Sequence, residues 1–190
     1  MEEINHRLSA EAEFDFTETK DISHVMDTIM TAYGQDILQL VYTYVQDEGI
    51  AEDLTQDIFL KCYSNLDQFK QRSRLKTWLY RIAINSCKDY LKSWSHRKFT
   101  LQNTILNVLS TKDKDVDEQV IQKDEEARLA EAVMALPVVY REVIFLHYFE
   151  AFTVHEIGQA VGKSPNTIKS RLKRARTLLK EKLGPEQEEG

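Results

Sequence analysis

The chain has 190 residues, 42% of them hydrophobic, and a formal net charge of −6, which allows one or two domains with modest cores. Six glycines, three prolines and the absence of period-2 runs of Val, Ile and Thr point to an all-α fold. No apolar run approaches the ~18 residues of a membrane span. The acidic start lacks the basic region and apolar core of a signal peptide, so a cytoplasmic protein without direct membrane insertion is expected.

The net charge hides two basic blocks. Residues 70–98 carry Lys70, Arg72, Arg74, Lys76, Arg81, Lys88, Lys92, Arg97 and Lys98 against one acid, Asp89. Residues 163–182 carry Lys163, Lys169, Arg171, Lys173, Arg174, Arg176, Lys180 and Lys182 against Glu181. The rest of the chain is strongly acidic, and the two blocks suggest two separate polyanion contacts. Cys62 and Cys87 are far apart and form no Cys-x-x-Cys pair. They read as reduced thiols in a helical core rather than as a zinc site with His24 or His96. Phosphate-loop, dinucleotide, nucleophile-elbow and His-Glu-x-x-His motifs are all missing, and the five histidines are scattered. No catalysis, metal or cofactor is expected.

In chain order, residues 1–22 read as an acidic extension with Phe14 and Phe16 as its aromatic anchors. Residues 22–45 read as one helix or two, with Val25, Ile29, Tyr33, Ile37, Leu40, Val41 and Tyr44 at helical spacing. Gly49 is expected to break it. A second amphipathic helix runs over 51–65, burying Leu54, Ile58 and Cys62 and turning Asp53, Gln56, Asp57 and Leu60 outward. Residues 69–76 form a basic loop. The next helix, 77–94, has an apolar stripe of Leu79, Ile82, Ala83, Ser86, Cys87, Tyr90 and Leu91. Its opposite face shows Tyr80, Arg81, Asn85, Lys88 and Lys92, while Trp78 is expected mostly in the core. Residues 98–124 break the pattern and read as a flexible linker with at most short helical stretches.

Beyond the linker, residues 125–135 form a helix ended near Leu136 and Pro137. Residues 138–149 form an apolar helix, with Val139, Val143, Ile144, Leu146 and Tyr148, that packs behind the two helices of 153–183. Thr153 and Glu156 have the spacing of a capping box. Ile157, Ala160 and Val161 give the helix they open an apolar face. Gly162 supplies a turn, Ser164 an N-cap, and Pro165 the first position of another helix. That last helix lines Ile168, Leu172, Ala175 and Leu179 on one side, with Asn166, Thr167, Ser170, Arg171 and Arg174 on the other. A helix, a glycine turn and a second helix with a polar, basic face read as a helix-turn-helix aimed at a DNA major groove. The residues by themselves also allow a helical hairpin with a solvated basic face. The acidic tail is 185–190.

Together, AEDLTQDIFLKCYSNLDQF, KTWLYRIAINSCKDYLKS and LPVVYREVIFLHYFEAFTVHEIGQAVGKSPNTIKSRLKRARTLLKEKL resemble the extracytoplasmic-function (group 4) sigma factors of bacterial RNA polymerase, in the sigma-70 family. The first two stretches resemble region 2 and the third resembles region 4. The resemblance implies two small helical domains, residues 23–97 and 125–184, joined by the linker. It implies that Asp53, Gln56, Asp57 and Leu60 dock on the polymerase beta-prime clamp helices, with the beta flap a further contact. It implies that Arg74, Lys76, Tyr80, Arg81, Asn85, Lys88 and Lys92 face the −10 element. Ser164, Asn166, Thr167, Ser170, Arg171, Lys173, Arg174 and Arg176 would then face the −35 element. An anti-sigma factor and a stress or envelope signal are also implied.

Duplex DNA rises about 3.4 Å per base pair, so elements about 17 pairs apart lie roughly 58 Å apart. A flexible linker of about 27 residues spans about 26–31 Å on average and about 90 Å extended, so it reaches both elements only when stretched. Two readings from other classes stay open. One is a helix-turn-helix regulator acting without core polymerase, which leaves Asn85 and the acidic-amide patch without a role. The other is a helical interaction module whose basic blocks are merely solvated.

Overall fold

The computed structural model describes residues 22–69, 73–104 and 125–183, without the side chains at 96–104, 125 and 126. The N-terminal extension before Ile22, Lys70 and Arg72 of the basic loop, the linker beyond Thr104 and the acidic tail lie outside the described residues. Among the described residues every regular element is helical, as the composition predicts.

Helix α1 (Ile22–Val45) is a single helix. Its apolar residues recur every three to four positions, and Val25, Met26, Ile29, Tyr33, Ile37, Leu40, Val41 and Tyr44 are all buried. The chain leaves it through Gln46, whose φ of 55° lies in the left-handed region. Asp47 then caps α2 (Glu48–Asn65), its carboxylate accepting from the Ile50 N–H at 2.9 Å. Gly49 therefore sits in the first turn of α2 and does not break the chain. Gln46 and Asp47 do so, because a side-chain cap satisfies a free helical N–H where a mere glycine cannot. Helix α2 buries Ala51, Leu54, Ile58, Phe59 and Cys62.

A 3₁₀ turn (Leu66–Gln68) leads towards α3 (Leu75–Thr104). This helix differs from expectation at both ends. Leu75 and Lys76 belong to its first turn rather than to the basic loop, and it runs on through residues read as linker. Residues 95–104 contain neither Gly nor Pro, and their Arg, Lys, Leu and Gln are good helix formers. Clustered Ser, Thr and Asn without a breaker is a weak stop signal.

The C-terminal unit begins with α4 (Glu125–Met134). Pro137 opens α5 (Val138–Ile144), which widens into a π turn (Phe145–Phe149). The helix expected over 138–149 is thus split. Val143, Ile144, Phe145 and Leu146 are core, whereas Val139 and Tyr148 are exposed. The helix-turn-helix, α6 (Val154–Val161) and α7 (Pro165–Leu183), matches the sequence reading closely. The capping box of Thr153 and Glu156 is formed in both directions, and Gly162 has φ 72°. Ile168, Leu172 and Ala175 are buried, and α5 packs on α7 behind the motif. The two units also pack on one another, α3 against α6 and α1 against α5.

One glycine that sequence reasoning passed over fixes the motif. A Cβ at Gly158 would lie 2.8 Å from the Lys163 carbonyl oxygen, so α6 and the turn approach too closely for any side chain. Gly158→Ala should force a backbone shift costing about 1–3 kcal/mol. Chemical denaturation should show a lower midpoint; an unchanged midpoint would mean the turn relaxes freely.

Candidate nucleic-acid interface

On α2, burial of Leu54, Ile58 and Cys62 turns Asp53, Gln56, Asp57 and Leu60 outward, with Leu60 65% exposed. Tyr63, half exposed, extends the same face at helical spacing. It is a residue the sequence analysis passed over, and an unburied aromatic three positions after an unburied Leu was the available signal.

On α3, Arg81, Asn85 and Lys92 are exposed, as expected of a nucleic-acid face. Trp78 is half-buried against Phe69, their rings 5.2 Å apart. Tyr80 departs from expectation. It is fully buried, and its hydroxyl donates to Glu150 Oε2 in the other unit. Ile84, omitted from the expected stripe, is equally buried. An amphipathic helix serves two surfaces here, so its buried arc is wider than one stripe.

The remaining basic side chains of this face are engaged. Lys76 Nζ lies 3.2 Å from Glu150 Oε2 and donates to the Glu150 backbone carbonyl at 3.0 Å. It also stands 5.2 Å from the centre of the Phe152 ring, which in turn packs on Tyr80. Arg74 lies 3.2 Å from Glu156, and Lys88 Nζ lies 3.1 Å from Glu142 Oε2.

On α7, Asn166, Ser170, Lys173, Arg174 and Arg176 are exposed. The Ser164 hydroxyl is taken up as an N-cap, accepting from the Thr167 N–H at 3.2 Å and pairing with the Thr167 hydroxyl. Arg171 is corrected from a free outer-face residue. Its Nη1 is 2.7 Å from Glu142 Oε1, and its side chain is only 20% exposed.

Glu142 is the junction. It is 1% exposed and accepts from Tyr44 at 2.6 Å as well as pairing with Lys88 and Arg171. Arg141 beside it donates to the Leu136 carbonyl and, at 2.6 Å, to the Thr43 carbonyl of the other unit. Gln46 Nε2 reaches the Met134 carbonyl at 2.9 Å. Sequence reasoning passed over both charged residues, although an Arg-Glu pair inside the apolar run VVYREVIFL signals buried charges that need partners.

Burial drives several proton affinities. It raises the Tyr44 phenol well above its usual value, reinforced by the Glu142 charge. It pushes the thiols of Cys62 and Cys87 up to about 12, so both are unreactive core thiols. Burial alone would raise the Glu156 carboxyl. The Thr153 hydroxyl and N–H, then Arg74, outweigh it and hold that carboxyl below the usual range. Among the described residues no group of His, Cys, Asp and Glu is placed to hold a metal ion, and no helix is long and apolar enough to cross a membrane.

The chain matches the family descriptions Sigma-70 region 2 over residues 29–97 and Sigma-70, region 4 over residues 126–179. It is 31% identical over 166 residues to the RNA polymerase sigma-H factor of Pseudomonas aeruginosa, covering 84% of this chain and 86% of that protein. This chain belongs to the sigma-70 family, among the extracytoplasmic-function sigma factors. It is 29% identical over 162 residues to the sigma factor SigV of Bacillus subtilis, with 84% and 91% covered. It is 28% identical to SigW of the same organism, an extracytoplasmic-function sigma factor, with 82% and 87% covered. In fold it resembles the sigma factor RpoE of Bartonella quintana in complex with the anti-sigma factor NepR (TM-score 0.64, 23% identity, 85% and 98% covered). It also resembles CnrH in complex with the cytosolic domain of CnrY (TM-score 0.60, 21% identity, 93% and 94% covered).

In this sigma factor the contact between the two matched regions is thus built on three carboxylates, Glu142, Glu150 and Glu156. Burial raises the Glu150 carboxyl, while its bonds to Tyr80 and Lys76 pull it part of the way back. A raised carboxyl binds its proton more tightly in the fold than in the unfolded chain. Its contribution to stability is therefore full at low pH and is lost as pH rises from the ordinary glutamate value through the raised one. Unfolding measured against pH should show the stability of the native protein, relative to Glu150→Gln, falling across that window. A difference that grows with pH would contradict the assignment.

Proposed function

We propose that this sigma factor binds RNA polymerase core enzyme through α2 and directs it to promoters, region 2 opening and reading the −10 element and region 4 reading the −35 element. The observation that carries this is the presence of both regions in order, over residues 29–97 and 126–179, each bearing its own basic surface. Asp53, Gln56, Asp57 and Leu60, with Tyr63, form the docking patch for the polymerase clamp helices. A base inside a duplex hides its Watson–Crick edge, so reading the −10 strand requires holding bases out of the stack. Asn85 is exposed and carries the donors and acceptor needed for a base edge. Arg74, Lys76, Arg81, Lys88 and Lys92 supply charge along the strand. Tyr80, being buried, supports the helix rather than stacking on a base.

On α7, Asn166, Ser170 and Arg174 present the polar face for base edges. Lys173 and Arg176 serve the phosphates, and Arg171 joins them when released from Glu142. Ser164 and Thr167 set the start of the recognition helix. The chain is then a regulatory subunit rather than an enzyme, working in the cytoplasm beside its polymerase. An anti-sigma factor is proposed as its inhibitor, because the similar RpoE structure holds one, the anti-sigma factor NepR. A helix-turn-helix regulator without polymerase would use α6 and α7 alone and leave region 2 unexplained.

Replacing Asp53, Gln56 and Asp57 together by Ala should weaken core binding at least tenfold at unchanged helicity, since all three face solvent. Near-native affinity of a folded triple variant would remove α2 from the docking site. Asn85→Ala should change −10 sequence preference in transcription with core enzyme, both on duplex promoters and on templates with the −10 segment already melted. A folded Asn85→Ala protein that keeps the native preference on both templates would show that another residue reads the strand.

A further inference from the structure

The apolar stripe of α3 contains one serine, Ser86. It is only 4% exposed, and a buried hydroxyl needs a hydrogen-bond partner. Lys61 of α2 supplies it, the ammonium donating to Ser86 Oγ at 3.0 Å. That ammonium has a second candidate partner on its own helix. Asp57 lies one turn before Lys61, and an acid four residues ahead of a lysine is the favoured order for an ion pair on a helix surface. The pair is not formed: among the described residues no ion pair engages Asp57. Drawn across to α3, the Lys61 charge leaves Asp57 exposed and uncompensated in the patch with Asp53, Gln56 and Leu60. Asp53 and Asp57, themselves one turn apart, repel each other until a cation arrives.

We propose that Ser86 is a positioning residue for core docking: by holding the Lys61 ammonium on α3, it keeps the Asp57 carboxylate open to a cationic group of the polymerase. The inference rests on the docking reading of α2 and adds to it a residue on another helix. A carboxylate already paired must give up its partner before it takes a new one, so an Asp57–Lys61 pair within α2 competes with docking. Ser86 draws the competitor away. Ser86 and Lys61 both lie within one unit, and neither belongs to the docking patch or to the DNA-facing residues.

The test measures competition with fluorescently labelled native protein for RNA polymerase core enzyme by anisotropy, with the helicity of every variant checked by circular dichroism. Ser86→Ala keeps the shape of α3 and frees Lys61 to pair with Asp57. It should weaken core binding about two- to threefold, the factor that one ion pair between helix neighbours provides. Lys61→Met removes the competitor, so Ser86→Ala/Lys61→Met should bind core as Lys61→Met alone does, at native affinity or tighter. In an Asp57→Asn background, itself weakened, Ser86→Ala should have no further effect. Should Ser86→Ala lose helicity, Ser86→Cys, close in size and a weak acceptor, takes its place. Unchanged affinity of Ser86→Ala would overturn the proposal. A loss that persists in the Asp57→Asn background, or that Lys61→Met does not rescue, would also overturn it by showing that Ser86 merely packs α2 on α3. If Asp57→Asn alone binds core as the native protein does, the docking reading falls together with the role of Ser86. If Asp57→Asn is weakened and Ser86→Ala is not, docking through α2 stands and only the role of Ser86 falls.

Discussion

A single buried carboxylate organises the contact on which the shape of the molecule depends. Glu142 is almost without solvent, and such a charge is stable only when its lone pairs are fully occupied. Here they are met by a hydroxyl from α1, an ammonium from α3 and a guanidinium from α7. Those three helices can supply the partners only in one mutual arrangement. The apolar part of the contact, with Phe152 against Tyr80, is tolerant of sliding by comparison. Hydrophobic burial brings the units together, and the ionic cluster selects how they sit. Buried ion pairs add little net stability relative to apolar packing yet penalise every arrangement that strands a charge. That combination suits a specific interface.

Much of the fold was legible because its signals are local. The 3–4 spacing of α1, the capping box at Thr153, the glycine at 162 and the Ser-Pro start of α7 are each decided within a few residues of chain. Apart from Arg171, the buried and outward-facing residues of the helix-turn-helix follow the same pattern. The errors have local causes too. Gly49 reads as a breaker because glycine is a poor helix former, but Asp47 two positions earlier supplies a cap, and glycine is tolerated in a first turn. The end of α3 reads too early because a polar composition suggests irregular structure, yet no Gly or Pro is there to enforce it.

The site was less legible than the fold, and the reason is again physical. A helical wheel divides a helix into one buried and one exposed arc, and that suffices for α2, which packs on one side. It does not suffice for α3, which is covered by its own unit and by the second unit as well. Tyr80 and Lys88 fall on the arc that a wheel marks as exposed; only knowledge of the second partner covers them. Arg171 has the same history. Nothing near it in the chain announces Glu142, which lies 29 positions away. The information was present only in the anomaly of Arg141 and Glu142 within an apolar run, which says that partners exist without saying which.

The ion pairs also bear on how an acidic chain handles a polyanion. A surface basic enough to hold promoter phosphates would bind any duplex through counterion release, and long basic faces left bare would compete for non-specific DNA throughout the cell. Arg74, Lys76, Lys88 and Arg171 are instead paired with carboxylates of the same chain. A carboxylate and a phosphate satisfy such cations by the same kind of charge-assisted bond. The patch at Asp53, Gln56, Asp57 and Leu60 is exposed, lies on α2, and is not part of the ionic contact. A ligand that bound there and tolerated only separated units would shift the balance between paired and separated units, since a ligand moves a two-state equilibrium by its difference in affinity for the two states.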